Sequence, residues 1–508
     1  MSRPVDRPPG TRVTLEVLGT LTVLELGALL CALAVHRGGW ATEPPIDRAR
    51  AAFAVGLLAA GTAGALLGIR FRRAGRAERR LLWYTLCLQA FTVAGVCAVA
   101  EATVRVLATT TAQGPAFAGI PLLPHRWELV RARYRRVLAT APNAISYLVP
   151  DPLLGWTIGP GRESRDGLYA SSREGIRGAT PGVGYASHAT ARRIALVGDS
   201  YTFGLEVPFA DSWGVRLQEA LGPGVDVLNF GVDGYGIDQA YLRFRRDAAP
   251  WRPEVAILGF IDHDLYRSMA VYAFVSFPEW GFPFAKPRFV LAGERLRLAN
   301  VPLPEPEAIL ARDSIAELPF VELDPGYDAA EWQWRAYAHS YLARYLLSRF
   351  PRRVPARPAV SEAAREALNR AILAAFAESA AAAGAIPLVV YFPTRSDFGR
   401  GDRRVTRAMI AALRRGGLEV LDLTSCLRAV PEPALFLRFH YSPAGNARVA
   451  DCLEPAVRAA LDRHARAGGR AGAPAGPRAQ GSPPASRHAA TITPWSSETP
   501  TRLTSPSG

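Results

Sequence analysis

The sequence predicts a doubly wound α/β domain, a parallel sheet with helices on both faces, preceded by helices that cross a membrane. Three observations carry this. Between 190 and 465, short Val/Ile/Leu-rich runs alternate with helical patterns. The runs are continuously apolar and do not alternate apolar with polar, which is the pattern of strands buried on both faces. Near the N-terminus, uncharged apolar stretches are long enough to span a hydrocarbon core.

The expected strands are RIALVG (193–198), VDVLNFG (225–231), VAILGF (255–260), PLVVYF (387–392) and LEVLDL (418–423). Helices are expected near 210–221, 237–247, 361–384, 402–415 and 444–463. The stretch 265–360 interrupts this rhythm with aromatics and prolines, as in VSFPEWGFPFAKPRF, and reads as an insertion: either a lid over a pocket or a packing element.

Residues 51–69 and 81–100 are apolar runs that each cross about 30 Å at about 1.5 Å per residue. A run at 13–35 has the length but carries Glu16 and Glu25, and a carboxylate in a membrane needs a partner. The linker RFRRAGRAERR (70–80) between the second and third spans holds six arginines, which the positive-inside bias keeps on the cytoplasmic side. The third span then exits, and everything after about residue 110 is expected outside the cytoplasm. The chain therefore divides into a membrane region (1–108), a lead-in segment (109–190), the α/β domain (191–465) and a tail (466–508). The tail, rich in Gly, Pro, Ser, Thr and Ala, is expected to be disordered because it buries too little to offset its ordering entropy.

The formal charge is +15, from 60 basic and 45 acidic residues. It is not a nucleic-acid footprint: Lys286 is the sole lysine, the arginines form no single stripe, and no DNA- or RNA-binding signature accompanies them. Of five cysteines, Cys31, Cys87 and Cys97 fall in or beside the spans, while Cys426 and Cys452 fall where a disulfide is permitted. No ligand spacing argues for a metal, and the chemistry described below needs no cofactor.

The first strand ends on Gly198-Asp199-Ser200, where a strand hands over to a helix. There a hydroxyl can be presented and backbone N–H groups can face an anion. Three further blocks occupy the same end of the sheet: NFGVDGYGIDQ (229–239) after the second strand, GFIDHDL (259–265) after the third and FHYSPAGNARVADCL (439–453) at the start of the last helix. GVDGYG lacks the lysine of a phosphate-binding P-loop. Asp199 reads as a brace for the turn.

With these blocks, and with PDPLLGWTIGPG (150–161), GIRG (175–178) and EATVR at the exit of the third span, the chain resembles the SGNH or GDSL-type hydrolases, in particular their membrane-anchored bacterial branch. The resemblance implies a flavodoxin-like sheet, Ser200 as nucleophile, His440 as general base, and an oxyanion hole from the N–H groups of Ser200 and Gly234. Two positions depart from the family pattern. His263 stands where the family has an asparagine donor, and Leu437 and Arg438 stand where it has an aspartate ahead of the histidine. Asp422, at the end of the fifth strand, is the nearest substitute in sequence. The site is then a triad with another acid, a Ser-His dyad, or an inactive relic.

The expectation is a membrane-embedded, extracytoplasmic serine esterase or acyltransferase whose substrates are acyl or acetyl esters of envelope or exported glycans or lipids. The alternative is a noncatalytic binding or assembly component that has kept the fold and lost its triad aspartate.

Overall fold

The computed structural model describes residues 9–38, 48–185, 192–293, 295–350, 361–398 and 404–471. It divides into two compact units, one comprising 1–132 with 328–359, the other 133–327 with 360–508. The stretch 265–360 is thus shared: through Tyr327 it belongs with the sheet, and from Asp328 with the N-terminal unit.

In the N-terminal unit, α1 (Pro9–Gly38), α2 (Arg48–Arg73) and α3 (Arg76–Leu107) are each long and apolar enough to cross a membrane. They contain the expected spans and extend beyond them. The carboxylates of α1 have partners: Arg70 Nη1 lies 3.0 Å from Glu16 Oε2, and Gln89 Nε2 donates to Glu25 Oε2 at 3.1 Å. Where α1 and α2 cross, a Cβ on Gly27 would come within 2.7 Å of the Gly56 carbonyl oxygen, so small residues set the approach of the two backbones. At the end of α3, Glu101 accepts hydrogen bonds from Ser340 Oγ (2.8 Å) and from the N–H groups of Tyr341 (3.0 Å) and Leu342 (2.7 Å). The glutamate of EATVR therefore caps the helix Tyr341–Arg349, satisfying N–H groups that have no partner within that helix.

In the other unit, β1 (Arg192–Val197), β2 (Val225–Asn229), β3 (Val255–Phe260), β4 (Ile386–Tyr391) and β5 (Val420–Asp422) form one sheet of order 5-4-3-1-2. All four pairings are parallel. The five strands were all expected, within two residues at every end; β5 is the shortest. Side chains alternate between two cores as the pleat requires. Ile194, Leu196, Ile257 and Val390 face α4 (Trp213–Leu221) and α8 (Pro443–Ala471). Ala195, Val197, Leu258 and Val389 face α5 (Ile237–Arg243), α6 (Glu362–Ala382) and α7 (Arg404–Arg415). The α/β expectation holds, and its reason is visible: every strand contributes apolar residues to both faces.

Two boundaries differ from the sequence reading. α5 gives way after Arg243 to a wider π turn over Phe244–Ala248, and α8 runs to Ala471, through the first residues of the segment 466–508 expected to be disordered. The rest of that tail lies outside the described residues.

Candidate active site

Strand order changes direction between β1 and β3, and the crevice at the carboxyl end of such a switch point is where open α/β sheets hold ligands. The four sequence blocks meet this end. β1 stops at Val197, and Gly198 follows. A Cβ there would lie 2.6 Å from the Gly259 carbonyl oxygen, so only glycine lets β1 turn this close to β3.

Asp199 then caps the single helical turn Ser200–Phe203, its Oδ1 accepting from the N–H groups of Tyr201 (2.9 Å) and Thr202 (3.4 Å). Its Oδ2 lies 3.4 Å from Arg267 Nη1, and Arg267 is held in turn by Asp264 Oδ1 at 2.8 Å. The Asp199 carboxylate thus ties the start of this turn to Arg267. Burial pushes its carboxyl up, while Arg267 and His440 act in the opposite direction. Burial, together with the neighbouring Asp199, pushes Asp264 well above the carboxylate range. One guanidinium therefore serves two buried carboxyls.

Ser200 is 2% exposed, and its Oγ lies 2.9 Å from His440 Nε2. Some 240 positions of sequence separate the two. Among the described residues the Ser200 backbone N–H makes no hydrogen bond, in contrast to those of its two successors. Gly234, after β2, has φ +77, and a Cβ on it would sit 2.5 Å from Phe282 Cε2. Trp156, fully buried on the hairpin of 148–158, donates its Nε1–H to the Asp233 carbonyl at 2.9 Å, fixing this loop from outside. Burial pushes the neighbouring Asp233 carboxyl up, while the nearby His440 and Arg267 pull it down.

His440 sits at the tip of a short hairpin in which Phe436 bridges Tyr441 and the Leu437 N–H donates to the His440 carbonyl at 2.8 Å. Tyr201 holds the tip by donating its hydroxyl to the Phe439 carbonyl at 2.8 Å. Asn446, on the first turn of α8, ties the hairpin to α4: its Oδ1 accepts from the Trp213 N–H at 3.1 Å and its Nδ2 donates to the Tyr441 carbonyl at 3.0 Å. This is the structural content of the SPAGN segment.

Asp422, the acid the sequence offered to orient His440, is not there. It caps its own turn, accepting from the Thr424 N–H (2.9 Å) and hydroxyl (2.5 Å), because β5 is an edge strand whose end turns directly into the helix Thr424–Leu427. The carboxylate that faces the histidine belongs to Glu206: its Oε1 lies 3.2 Å from His440 Nδ1. The contact is close but falls short of an aligned hydrogen bond. Oε2 accepts from the N–H groups of Phe439 (3.2 Å) and His440 (3.4 Å). Burial raises the Glu206 carboxyl, but its contact with the His440 ring and its bond from the Phe439 N–H outweigh this and hold it below the ordinary glutamate value. His263 is exposed at the end of β3, and its ring makes no hydrogen bond among the described residues.

Sequence reasoning missed Glu206, Arg177, Tyr201 and Arg267. The signal for Arg177 was present in GIRG, read as a family segment without a role. Its buried guanidinium donates to the carbonyls of Phe203, Gly204 (2.6 Å) and Val207 (2.6 Å).

No protein-family model and no curated protein matches the chain. Among solved structures it is similar to a member of the lipolytic G-D-S-L family from Veillonella parvula, with 13% identity over 52% of this chain and 96% of that one and a TM-score of 0.28. It is also similar to a lipase/acylhydrolase from Enterococcus faecalis, with 13% identity over 54% and 96% and a TM-score of 0.28. A third is a carbohydrate acetylesterase family member from Sinorhizobium meliloti, with 13% identity over 54% and 100% and a TM-score of 0.24.

Proposed function

We propose that the chain is a membrane-anchored serine esterase or acyltransferase of SGNH type. The observation that carries this is the 2.9 Å contact between Ser200 Oγ and His440 Nε2 at the switch point of the sheet. A serine hydroxyl becomes a nucleophile when an imidazole within hydrogen-bond reach removes its proton. In this reading His440 Nε2 takes the Ser200 proton as Oγ attacks an ester carbonyl. The N–H groups of Ser200 and Gly234 receive the oxyanion, with the exposed His263 ring as a third donor. A pre-aimed donor of this kind is worth about 3 kcal/mol. His440 then protonates the departing alcohol, leaving an acyl group on Ser200. Water or a second alcohol, deprotonated by the same ring, removes the acyl group.

Two observations support placing the sheet on the extracytoplasmic side. The arginine-rich linker between α2 and α3 belongs inside. Cys426 and Cys452 form a disulfide, which persists in oxidising compartments. There the substrates are acyl or acetyl esters of envelope or exported glycans or lipids, a class inferred from location.

The test is hydrolysis of p-nitrophenyl acetate and of an acetylated xylo-oligosaccharide by the full chain in detergent. Cleavage by the parent is expected, with a loss on the order of 10⁶-fold in Ser200→Ala. Cleavage that survives the substitution overturns the acyl-serine step. No cleavage by the parent favours the noncatalytic alternative.

A further inference from the structure

We infer that Glu206 is the positioning residue for His440, supplying from the nucleophile's own loop the carboxylate that the family pattern places just ahead of the histidine. The inference rests on the acyl-serine reading above and names the third member of that site.

The contacts come first. One oxygen of Glu206 faces the far ring nitrogen at 3.2 Å, and the other accepts from the backbone N–H of the histidine and of its predecessor. A single carboxylate thus fixes both the ring and the main chain of the same residue. For Nε2 to accept the Ser200 proton, the neutral ring must carry its own proton on Nδ1. A carboxylate at Nδ1 selects that tautomer and stabilises the imidazolium that forms.

The backbone supports the same role. Glu206 has φ +73, the left-handed region where glycine is the default and other residues cost about 1 kcal/mol or more. Such a residue persists where its surroundings over-determine it, and here they do. Arg177 donates to carbonyls on both sides of Glu206, and the Glu206 N–H donates to the Tyr169 hydroxyl at 2.9 Å. Segment 169–177, ahead of the sheet, therefore holds the loop that delivers the acid.

The position the family pattern would use is vacated. Leu437 is 40% exposed, and its N–H closes the hairpin on the His440 carbonyl. Arg438 lies over the Phe439 ring at 4.8 Å. Neither offers a carboxylate.

The experiment compares Glu206→Gln, Glu206→Gly and Glu206→Asp in the full chain, reading kcat and KM separately on p-nitrophenyl acetate alongside thermal melting. Gln and Gly are expected to lower kcat by about 10²- to 10⁴-fold with KM nearly unchanged, and Asp to retain intermediate activity. Glycine removes the left-handed strain, so its melting temperature should stay near the parent's while activity falls; a merely structural glutamate would lose both together. Gln and Gly variants that keep kcat within about threefold would overturn the inference. Should the acyl-serine reading itself fail, with Ser200→Ala as active as the parent or the parent inactive, ring ¹⁵N NMR judges Glu206 separately, with His440→Gln assigning the signal. The proton is expected on Nδ1 in the parent and redistributed in Glu206→Gly; an unchanged tautomer sinks the proposal.

Discussion

The two sides of the candidate site are built differently. The Ser200 side, 198–207, is largely buried and fixed by polar bonds from three directions: Asp199 beneath it, Arg177 behind it and Asn229, which donates to the Thr202 carbonyl at 2.9 Å. The His440 side, 436–441, is a hairpin with an exposed tip, Phe439 being 60% exposed, and it is held through a few bonds to Tyr201, Glu206 and Asn446. The difference teaches where precision is invested. The more heavily bonded side carries Ser200 and the Glu206 carboxylate, and the His440 hairpin docks against them through fewer bonds.

The largest expected effect breaks the more heavily bonded side. Arg177→Met leaves the carbonyls of Gly204 and Val207 buried without a donor, at about 1–3 kcal/mol each, and leaves that of Phe203 with only the 3.4 Å bond from Asn229. A loss of roughly 4 kcal/mol in urea unfolding is expected, together with loss of ester cleavage. A variant as stable as the parent would mean that the loop is held by something other than this guanidinium.

On the His440 side the comparable tie is covalent. The Cys426–Cys452 disulfide joins the turn after β5 to α8, the helix that follows the hairpin, across a separation of 26 residues. Replacing both cysteines by serine is expected to cost about 2–3 kcal/mol by relaxing the unfolded chain's constraint. A cost well below 1 kcal/mol would mean that hydrogen bonds suffice there as well.

The smallest effect sharpens the comparison where the two sides touch. Glu206 titrates below the ordinary glutamate value of 4.5 because of its contacts across the gap. A depressed carboxyl stabilises the fold at pH above its unfolded value, and the contribution is lost as pH falls through the folded value. The melting-temperature gap between parent and Glu206→Gln is therefore expected to be open above pH 4.5 and to close on acidification below it. A gap that does not change with pH would place the stabilisation in packing instead of charge.

The sheet was legible because its signal is local. Strands such as Val255–Phe260 are continuous apolar runs, and both faces are covered for that reason. The apolar spans were legible on the same ground, and their carboxylates Glu16 and Glu25 pointed to partners that the structure identifies as Arg70 and Gln89. Ser200 and His440 could be read because each sits in a block at a strand or helix end. Asp422 was chosen for its nearness in sequence, and nearness along a chain does not measure distance across a crevice.

By itself, the sequence determined the apolar spans and the strands of the parallel sheet and set Ser200 and His440 in blocks at strand and helix ends, since periodicity and turn residues act within a few positions. Only the tertiary structure decided which acid meets the histidine. Glu206 and His440 lie 234 positions apart, and a backbone conformation unusual for a glutamate, held by an arginine from a third segment, brings them together. A contact made by folding three distant stretches against one another leaves no pattern in any one of them.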